Sequence, residues 1–391
     1  MMIMKKLLFV SVGLETSDTS AAIRNRRLIA ELSKYFNVYA IEIAPMNAVI
    51  LHGVKGIKKA TLYSSNYSVG GARQVQGGNS YRLTAWLKRV LRFLLPDKYS
   101  IELLQYDFSM VFPGQGAFDV VFTSSDPKGV HFCLINKSFS KRFINKNTKI
   151  IQYWGDPWYG DLNYYTNWIT RIFERWLMGL AHHVVFNSIL TLRLKSSLHV
   201  GQSNFHYLSR GLDKEVSNLP DIKEYAFEEI KLLYAGDYFP ASRNINPLIS
   251  AMRFLEDTLV VIGDGEVICE ASFNVMVLPR VSFKQAQKYA EEADILVVIL
   301  NRAGGQIPGK LYDYASSVHP VLVLYEDERI LKDMPFPSRF IFVKNDCDAI
   351  VGFLRDNRKL RVNFSDVKKA SFSSEVEAFL AQCGCLVSDE N

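Results

Sequence analysis

The residues best suited to chemistry fall in two short stretches, each behind a predicted buried strand. In the first, the apolar run Ala293–Leu300 is followed by Gly304, Gly305, Gln306, Ile307, Pro308, Lys310 and Asp313. Paired glycines let the backbone approach a ligand closely, and Pro308 suits the first turn of a helix. Free amides at that helix start, with Lys310 beside them, would hold an anion such as a pyrophosphate. Asp313 could then accept hydrogen bonds from a ribose. The spacing is neither a Walker A loop nor G-x-G-x-x-G. In the second stretch, the strand Leu232–Ala235 opens at Gly236, and Ser242, Arg243 and Asn244 lead into a helix. Arg243 could grip a phosphate bidentately. The plainer alternatives are a flexible loop before an ordinary helix and a solvated loop arginine.

A third group follows another predicted strand, in Gln152–Gly160. Asp156 could hydrogen-bond a sugar hydroxyl, while Trp154, Trp158 and Tyr159 could stack on sugar faces. The alternative is a turn with aromatics packed beneath it. Gly13 ends the first strand and opens a polar loop, and the helix after it carries Arg24, Arg26 and Arg27. Arg24 reads as a solvated helix charge rather than a phosphate contact. Leu83, Trp86, Leu87, Val90, Leu91 and Leu94 keep helical spacing, with Arg82, Lys88, Arg89 and Arg92 largely off that stripe. Such a basic amphipathic helix fits an anionic membrane surface, through Trp86, Arg89 and Arg92 above all. A core-facing helix with a wet basic back would look the same.

The elements that must position these groups alternate. Short, continuously apolar strands are predicted at 6–12, 38–43, 120–123, 149–153 and 183–187, then at 231–235, 258–263, 274–278, 295–300, 321–325 and 340–344. Helical stretches such as 22–35, 168–180, 245–254, 284–290 and 309–317 separate most of them. Strand alternating with helix, twice over, implies two doubly wound parallel sheets covered on both faces, with ligands beyond the carboxyl ends of the strands. A chain of 391 residues, 48% hydrophobic and 22% charged, has the balance of a folded protein of two domains. The seam is placed after Leu212, giving domains 1–212 and 213–391, the final helix being free to pack back on the first.

Charge divides at the same place. Residues 1–212 hold 26 Lys+Arg against 12 Asp+Glu, a net +14, and residues 213–391 hold 20 against 28, a net −8. The basic half suits an anionic membrane or lipid, since no nucleic-acid module is present. No apolar run reaches a membrane span. The apolar N-terminus reads as a strand rather than a signal peptide, so a cytoplasmic protein is expected. Five cysteines at wide spacings do not suggest a disulfide framework, and Cys383-Gly384-Cys385 lacks a partner pair of zinc spacing.

In order and spacing these segments resemble the GT-B glycosyltransferases, specifically the retaining family 4 type of bacterial surface polysaccharide synthesis. Gly304 through Tyr314 resembles that family's GGxP-K-x-x-E-Y segment, and Val261–Glu266 its IVGDGP. Leu208–Asp213 resembles IPNGVD, Ala181–Ser188 resembles ADxVVxxS, and Gln152–Gly160 resembles the RDxW segment. Gly236 and Arg243 resemble its glycine-then-lysine segment. Departures are also present: Gly305 stands at the first of the family's two acidic positions and Asp313 at the second, and Asp237 stands where an arginine is common. The resemblance implies two Rossmann-like domains facing across a cleft, the first binding acceptor and the second donor, with Gly13 bordering the cleft. It implies transfer of a sugar from a nucleotide-diphospho-sugar to a lipid-linked or polysaccharide acceptor, in O-antigen, capsule or exopolysaccharide synthesis at the inner face of the plasma membrane. Asp156, Arg243 and Lys310 would be catalytic, and Gly13, Gly236, Arg243, Gly304, Gly305, Gln306, Ile307, Lys310 and Asp313 would bind donor. No metal or other cofactor is expected, because cationic side chains would neutralise the diphosphate. The alternatives are a non-catalytic sugar-nucleotide- or membrane-binding homologue and a sugar-nucleotide epimerase of the same fold.

Overall fold

The computed structural model describes residues 4–64, 94–161, 166–212, 216, 218–269, 272–302 and 306–386. The chain forms two compact units, Met1–Arg210 with Ser373–Asn391, and Gly211–Phe372.

The first unit is built on a parallel sheet of β1 (Lys6–Val12), β2 (Asn37–Pro45), β3 (Lys58–Ser64), β4 (Val120–Ser124), β5 (Lys149–Trp154), β6 (His183–Phe186) and β7 (Phe205–Tyr207). Its spatial order is β3-β2-β1-β4-β5-β6-β7. Leu7 to Val12 and all of β4 are buried, the consequence of helices covering both faces of a parallel sheet. One face packs Leu8, Val10, Ile41, Val121, Phe139 and Phe143; another cluster gathers Phe132, Trp154, Trp158, Leu177, Val184 and Phe186. Burying each such side chain contributes roughly 1.5–3 kcal/mol. The helix Ser20–Leu32 follows β1, started by Thr19, whose hydroxyl accepts from Ala22 N at 3.3 Å. The last helix, Phe372–Gln382, belongs to this unit.

The second unit repeats the plan. After β8 (Ile222–Ala226) come β9 (Lys231–Ala235), β10 (Thr258–Ile262), β11 (Val275–Leu278), β12 (Ile295–Ile299), β13 (Val321–Tyr325) and β14 (Ile341–Lys344), ordered β11-β10-β9-β12-β13-β14 and all parallel. Leu232, Tyr234, Val261, Val297, Ile299, Leu322 and Leu324 lie in its core. β15 (Lys359–Asn363) pairs antiparallel with β8 apart from this sheet. Both main sheets thus have the 3-2-1-4-5-6 order of dinucleotide-binding folds, whose ligands sit where the order reverses. The reversal lies between β1 and β4 in one unit and between β9 and β12 in the other.

Every apolar strand predicted from sequence forms, with ends shifted by at most two residues. Four strands were not anticipated: β3, β7, β8 and β15. Among the described residues no helix is long and apolar enough to cross a membrane. The expected amphipathic helix around Trp86, Arg89 and Arg92, and the glycines Gly304 and Gly305, lie outside the described residues.

Candidate functional site

At the reversal point of the second unit, Arg243 is held in place. Its Nε donates to Asn301 Oδ1 at 2.7 Å, and its guanidinium also bonds the Tyr234 hydroxyl. Asn301 directly follows Leu300 at the carboxyl end of β12, is almost fully buried, and donates to Gln306 O at 3.3 Å and Gln306 Oε1 at 3.4 Å. Gly236 closes β9, its amide donating to Ile262 O at 2.8 Å. The Tyr234 hydroxyl donates to Asp237 O at 2.8 Å, and burial pushes its pKa up. Lys310 begins the helix Lys310–Ala315, with Nζ 5.4 Å from the centre of the Tyr314 ring, and Asp313 lies in its first turn. Arg243, Asn301, Gln306 and Tyr234 form one hydrogen-bonded group, and Lys310 lies against Tyr314 on the helix that follows Gln306 in sequence. Ile307 is half-buried beside it in sequence. Asp237 is paired with Arg280, which also reaches Asp264 at 3.0 Å.

The expectation that the sequence holds no Asp-x-Asp pair is wrong: Asp346 and Asp348 form one, a pairing of a type that can bind divalent cations. In the structure Asp346 caps the helix Cys347–Asp356, accepting from Asp348 N at 3.1 Å and Ala349 N at 3.3 Å. That capping accounts for the spacing.

The first unit gathers a denser cluster at the carboxyl ends of β4 and β5. Arg24 is only 2% exposed, which overturns its reading as a solvated helix charge. It donates to Asn25 Oδ1 at 3.2 Å, to Ser124 Oγ at 3.2 Å and to Ser125 O, and lies 4.6 Å from the Tyr153 ring centre. Burial lowers its pKa, with Arg210 adding to that and Asp126 and Asp156 opposing it. A Cβ on Gly155 would come within 2.5 Å of Arg24 Nη1 and 2.9 Å of Asp126 Oδ2, so a side chain there would displace the Arg24 guanidinium and the Asp126 carboxylate. Lys128, also buried, donates to Asp161 Oδ2 at 2.8 Å and Asp126 Oδ1 at 3.3 Å. Burial would lower the Lys128 pKa, but Asp126, Asp161 and Asp156 outweigh it and hold the ammonium well above its ordinary value. Asp156 moves the other way: burial, then Asp126 and Asp161, push its carboxyl up to about 7 against the pull of Lys128 and Arg24. Burying ions costs several kcal/mol each unless they are well paired, and a carboxyl displaced this far beside charged partners makes this cluster a candidate functional site.

The aromatics of this segment have different placements. Trp154 and Trp158 are 0% and 1% exposed. Trp154 stacks on His131 with centroids 4.4 Å apart and donates to Gln152 Oε1, while Trp158 packs on Phe132. Neither offers a face to a sugar, which corrects the expectation of stacking: Trp154 at the end of β5 and Trp158 in the loop after it both pack into the apolar cluster with Phe132, Leu177 and Phe186. Tyr159 is half-buried. Glu174, on the helix Trp168–Met178, fixes this loop by accepting from Trp158 N at 2.8 Å and Tyr159 N at 3.0 Å. Its other oxygen accepts from Lys195 at 2.5 Å and bonds His199 at 3.2 Å. Gly13 turns the chain after β1 with a left-handed φ of 63°.

Asp126, Lys128, Asp161 and Asn301 were missed from the sequence, although the rule that ligands collect at strand carboxyl ends points to each. Also missed was an exposed row on the helix Trp168–Met178. Trp168, Ile172 and Trp176 are 68%, 55% and 47% exposed, with Arg171 and Arg175 beside them.

No protein-family model matches the sequence, and no curated protein matches it. Solved structures do match along the whole chain. The OtsA apo structure shares 9% identity over 98% of this chain and 100% of that one, with a TM-score of 0.58. The fold is GT-B. The E. coli trehalose-6-phosphate structure bound with UDP-2-fluoro glucose shares 11% identity, covers 98% of this chain and 99% of that one, and has a TM-score of 0.57. HepE from Anabaena in complex with UDP-glucose shares 10% over 97% and 95%, with a TM-score of 0.53. In GT-B terms, this chain carries two Rossmann-like domains, each with charged groups at its strand-order reversal.

Proposed function

We propose that the protein is a retaining glycosyltransferase that moves a sugar from a nucleotide-diphospho-sugar to a lipid-linked or polysaccharide acceptor in cell-surface polysaccharide synthesis. The observation that carries this reading is Arg243, fixed by Asn301 and Tyr234 at the strand-order reversal of the second unit, with Lys310 at the start of the helix after β12. Two structures of the same fold hold uridine-diphosphate sugars. Arg243 and Lys310 bind the diphosphate and stabilise the charge that develops as it leaves, a role that preorganised cations fill without a metal. Gly236, Gln306, Ile307 and Asp313, with Gly304 and Gly305, complete the donor site.

Acceptor binding falls to the first unit. A carboxyl near pKa 7 is suited to exchange a proton with a hydroxyl at neutral pH, and Asp156 takes that part. Tyr159 supplies the aromatic contact that Trp154 and Trp158 do not. The exposed Trp168, Ile172 and Trp176, next to Arg171 and Arg175 on a unit rich in positive charge, suit the anionic inner leaflet on which a lipid-linked acceptor is presented.

The test is to incubate the full chain with a panel of nucleotide-diphospho-sugars and follow nucleotide release with and without lipid-linked glycans. Acceptor-dependent release is expected. Binding without release under every acceptor would make the protein a non-catalytic homologue, and interconversion of nucleotide sugars without acceptor would make it an epimerase.

A further inference from the structure

Cys383, which the sequence offered no partner for, meets two histidines in the fold. His183 opens β6, His206 is the middle residue of β7, and Cys383 follows directly on the last helix. One nitrogen from each ring and the Cys383 sulfur all lie within 4.8 Å of one another. The Nδ1 of His183 stands 3.0 Å from Nε2 of His206. Two imidazole nitrogens bound to one tetrahedral zinc, each at about 2.05 Å, stand about 3.3 Å apart, so closing on an ion requires only a small shift. The surroundings hold the trio in place. The His206 ring packs on Phe379 at 5.7 Å and its side chain bonds Gln382. His183 bonds the backbone of Cys383 itself. Cys383 is buried and in no disulfide.

We propose that His183, His206 and Cys383 form a zinc site that staples the C-terminal segment to the sheet of the first unit. Two imidazoles and a thiolate, with no carboxylate or carbonyl in the set, select a borderline-to-soft tetrahedral ion over magnesium or calcium. Three protein ligands leave the fourth position to water. His183 begins β6 at the amino-terminal edge of the sheet, while Asp156 and its partners lie beyond the carboxyl ends. The zinc therefore lies apart from Asp156 and its partners, and the inference is independent of the proposed transferase activity. The three ligands come from segments separated by up to 200 positions, so binding energy becomes folding energy for the segment that closes last.

The test uses the full chain stripped of metal and titrated with Co²⁺, then Zn²⁺. One equivalent of cobalt should bind with thiolate-to-metal charge-transfer absorption, and zinc should displace it. Zinc should also slow proteolytic release of the segment after Phe372. Cys383→Ser should lose the charge-transfer band, and Cys385→Ser should keep it. His206→Gln gives the same comparison should Cys383→Ser fail to fold. Absence of stoichiometric cobalt binding in the wild-type chain overturns the proposal, as does a charge-transfer band that survives Cys383→Ser.

Discussion

Lys128 Nζ donates to Asp161 Oδ2 across 2.8 Å, with both side chains almost entirely closed off from solvent. That pairing, together with Asp126, engages the ammonium. Its remaining pull on Asp156 does not offset burial, and the Asp156 carboxyl stays protonated up to about pH 7. An acid whose pKa is raised by folding binds its proton more tightly in the native state. Its contribution to stability is complete below its unfolded value of about 3.9 and is lost as pH rises through about 7. Asp156→Asn should therefore flatten the fall in stability between those limits, measured by urea unfolding across that range. Asp97, pushed up to about 6 by burial, leaves a residual slope of the same sign. An unaltered slope in the mutant would show that Asp156 ionises normally. In turnover assays the same substitution should remove an inflection near pH 7.

Glu174 should matter mainly to stability. It satisfies Lys195, His199 and the amides of Trp158 and Tyr159 at once. Glu174→Ala strands a buried ammonium and two amides, so a loss of about 3–5 kcal/mol is expected. Chemical denaturation measures this directly; a loss under about 1 kcal/mol would mean that water reaches the site.

Arg243→Ala and Lys310→Ala should each lower kcat/KM by roughly ten- to a hundredfold, the worth of a charge-assisted hydrogen bond of about 1.5–3 kcal/mol. Both side chains are partly exposed, so thermal unfolding should shift little. Steady-state kinetics paired with calorimetry separates the two effects. Full activity in both mutants would remove these residues from the donor site.

Transfer should continue in chelator-treated buffer at the rate seen with added magnesium, because Arg243 and Lys310 meet the diphosphate charge. Activity that vanishes on brief EDTA treatment and returns with magnesium or manganese would place a divalent ion at the donor.

Binding to vesicles containing anionic lipid should be salt-sensitive and stronger than binding to neutral ones. Replacing Trp168 and Trp176 together by alanine should weaken it by roughly tenfold or more, given about 1.5–3 kcal/mol for each large apolar side chain buried. Replacing Arg89 and Arg92 by glutamate should weaken it as well. Sedimentation with equal binding to both vesicle types would show that this face does not meet lipid.

The architecture was legible in the sequence because strands covered on both faces must be apolar throughout. β1, β9 and β13 appear as unbroken runs with their ends in place. The placement of Arg243 and Lys310 in the chain was legible too: Arg243 lies between β9 and the helix Asn246–Ala251, and Lys310 begins the helix after β12. Edge strands were not: β3 is half-exposed and β7 has three residues, so neither needs an apolar run. What a side chain faces was decided only by tertiary packing. Arg24 lies on a helix whose neighbouring Arg26 and Arg27 are partly exposed, and only the approach of Ser124, Ser125 and Tyr153 shows that it is interior. Trp154 and Trp158 flank Asp156 in sequence, yet both tryptophans are fully buried while Asp156 keeps some exposure. Local sequence carries spacing and periodicity, whereas burial and charge pairing depend on segments brought together from far along the chain. For that reason Lys128 met Asp161, and Cys383 met His183 and His206, only once the sheet was assembled and the last helix had returned to it.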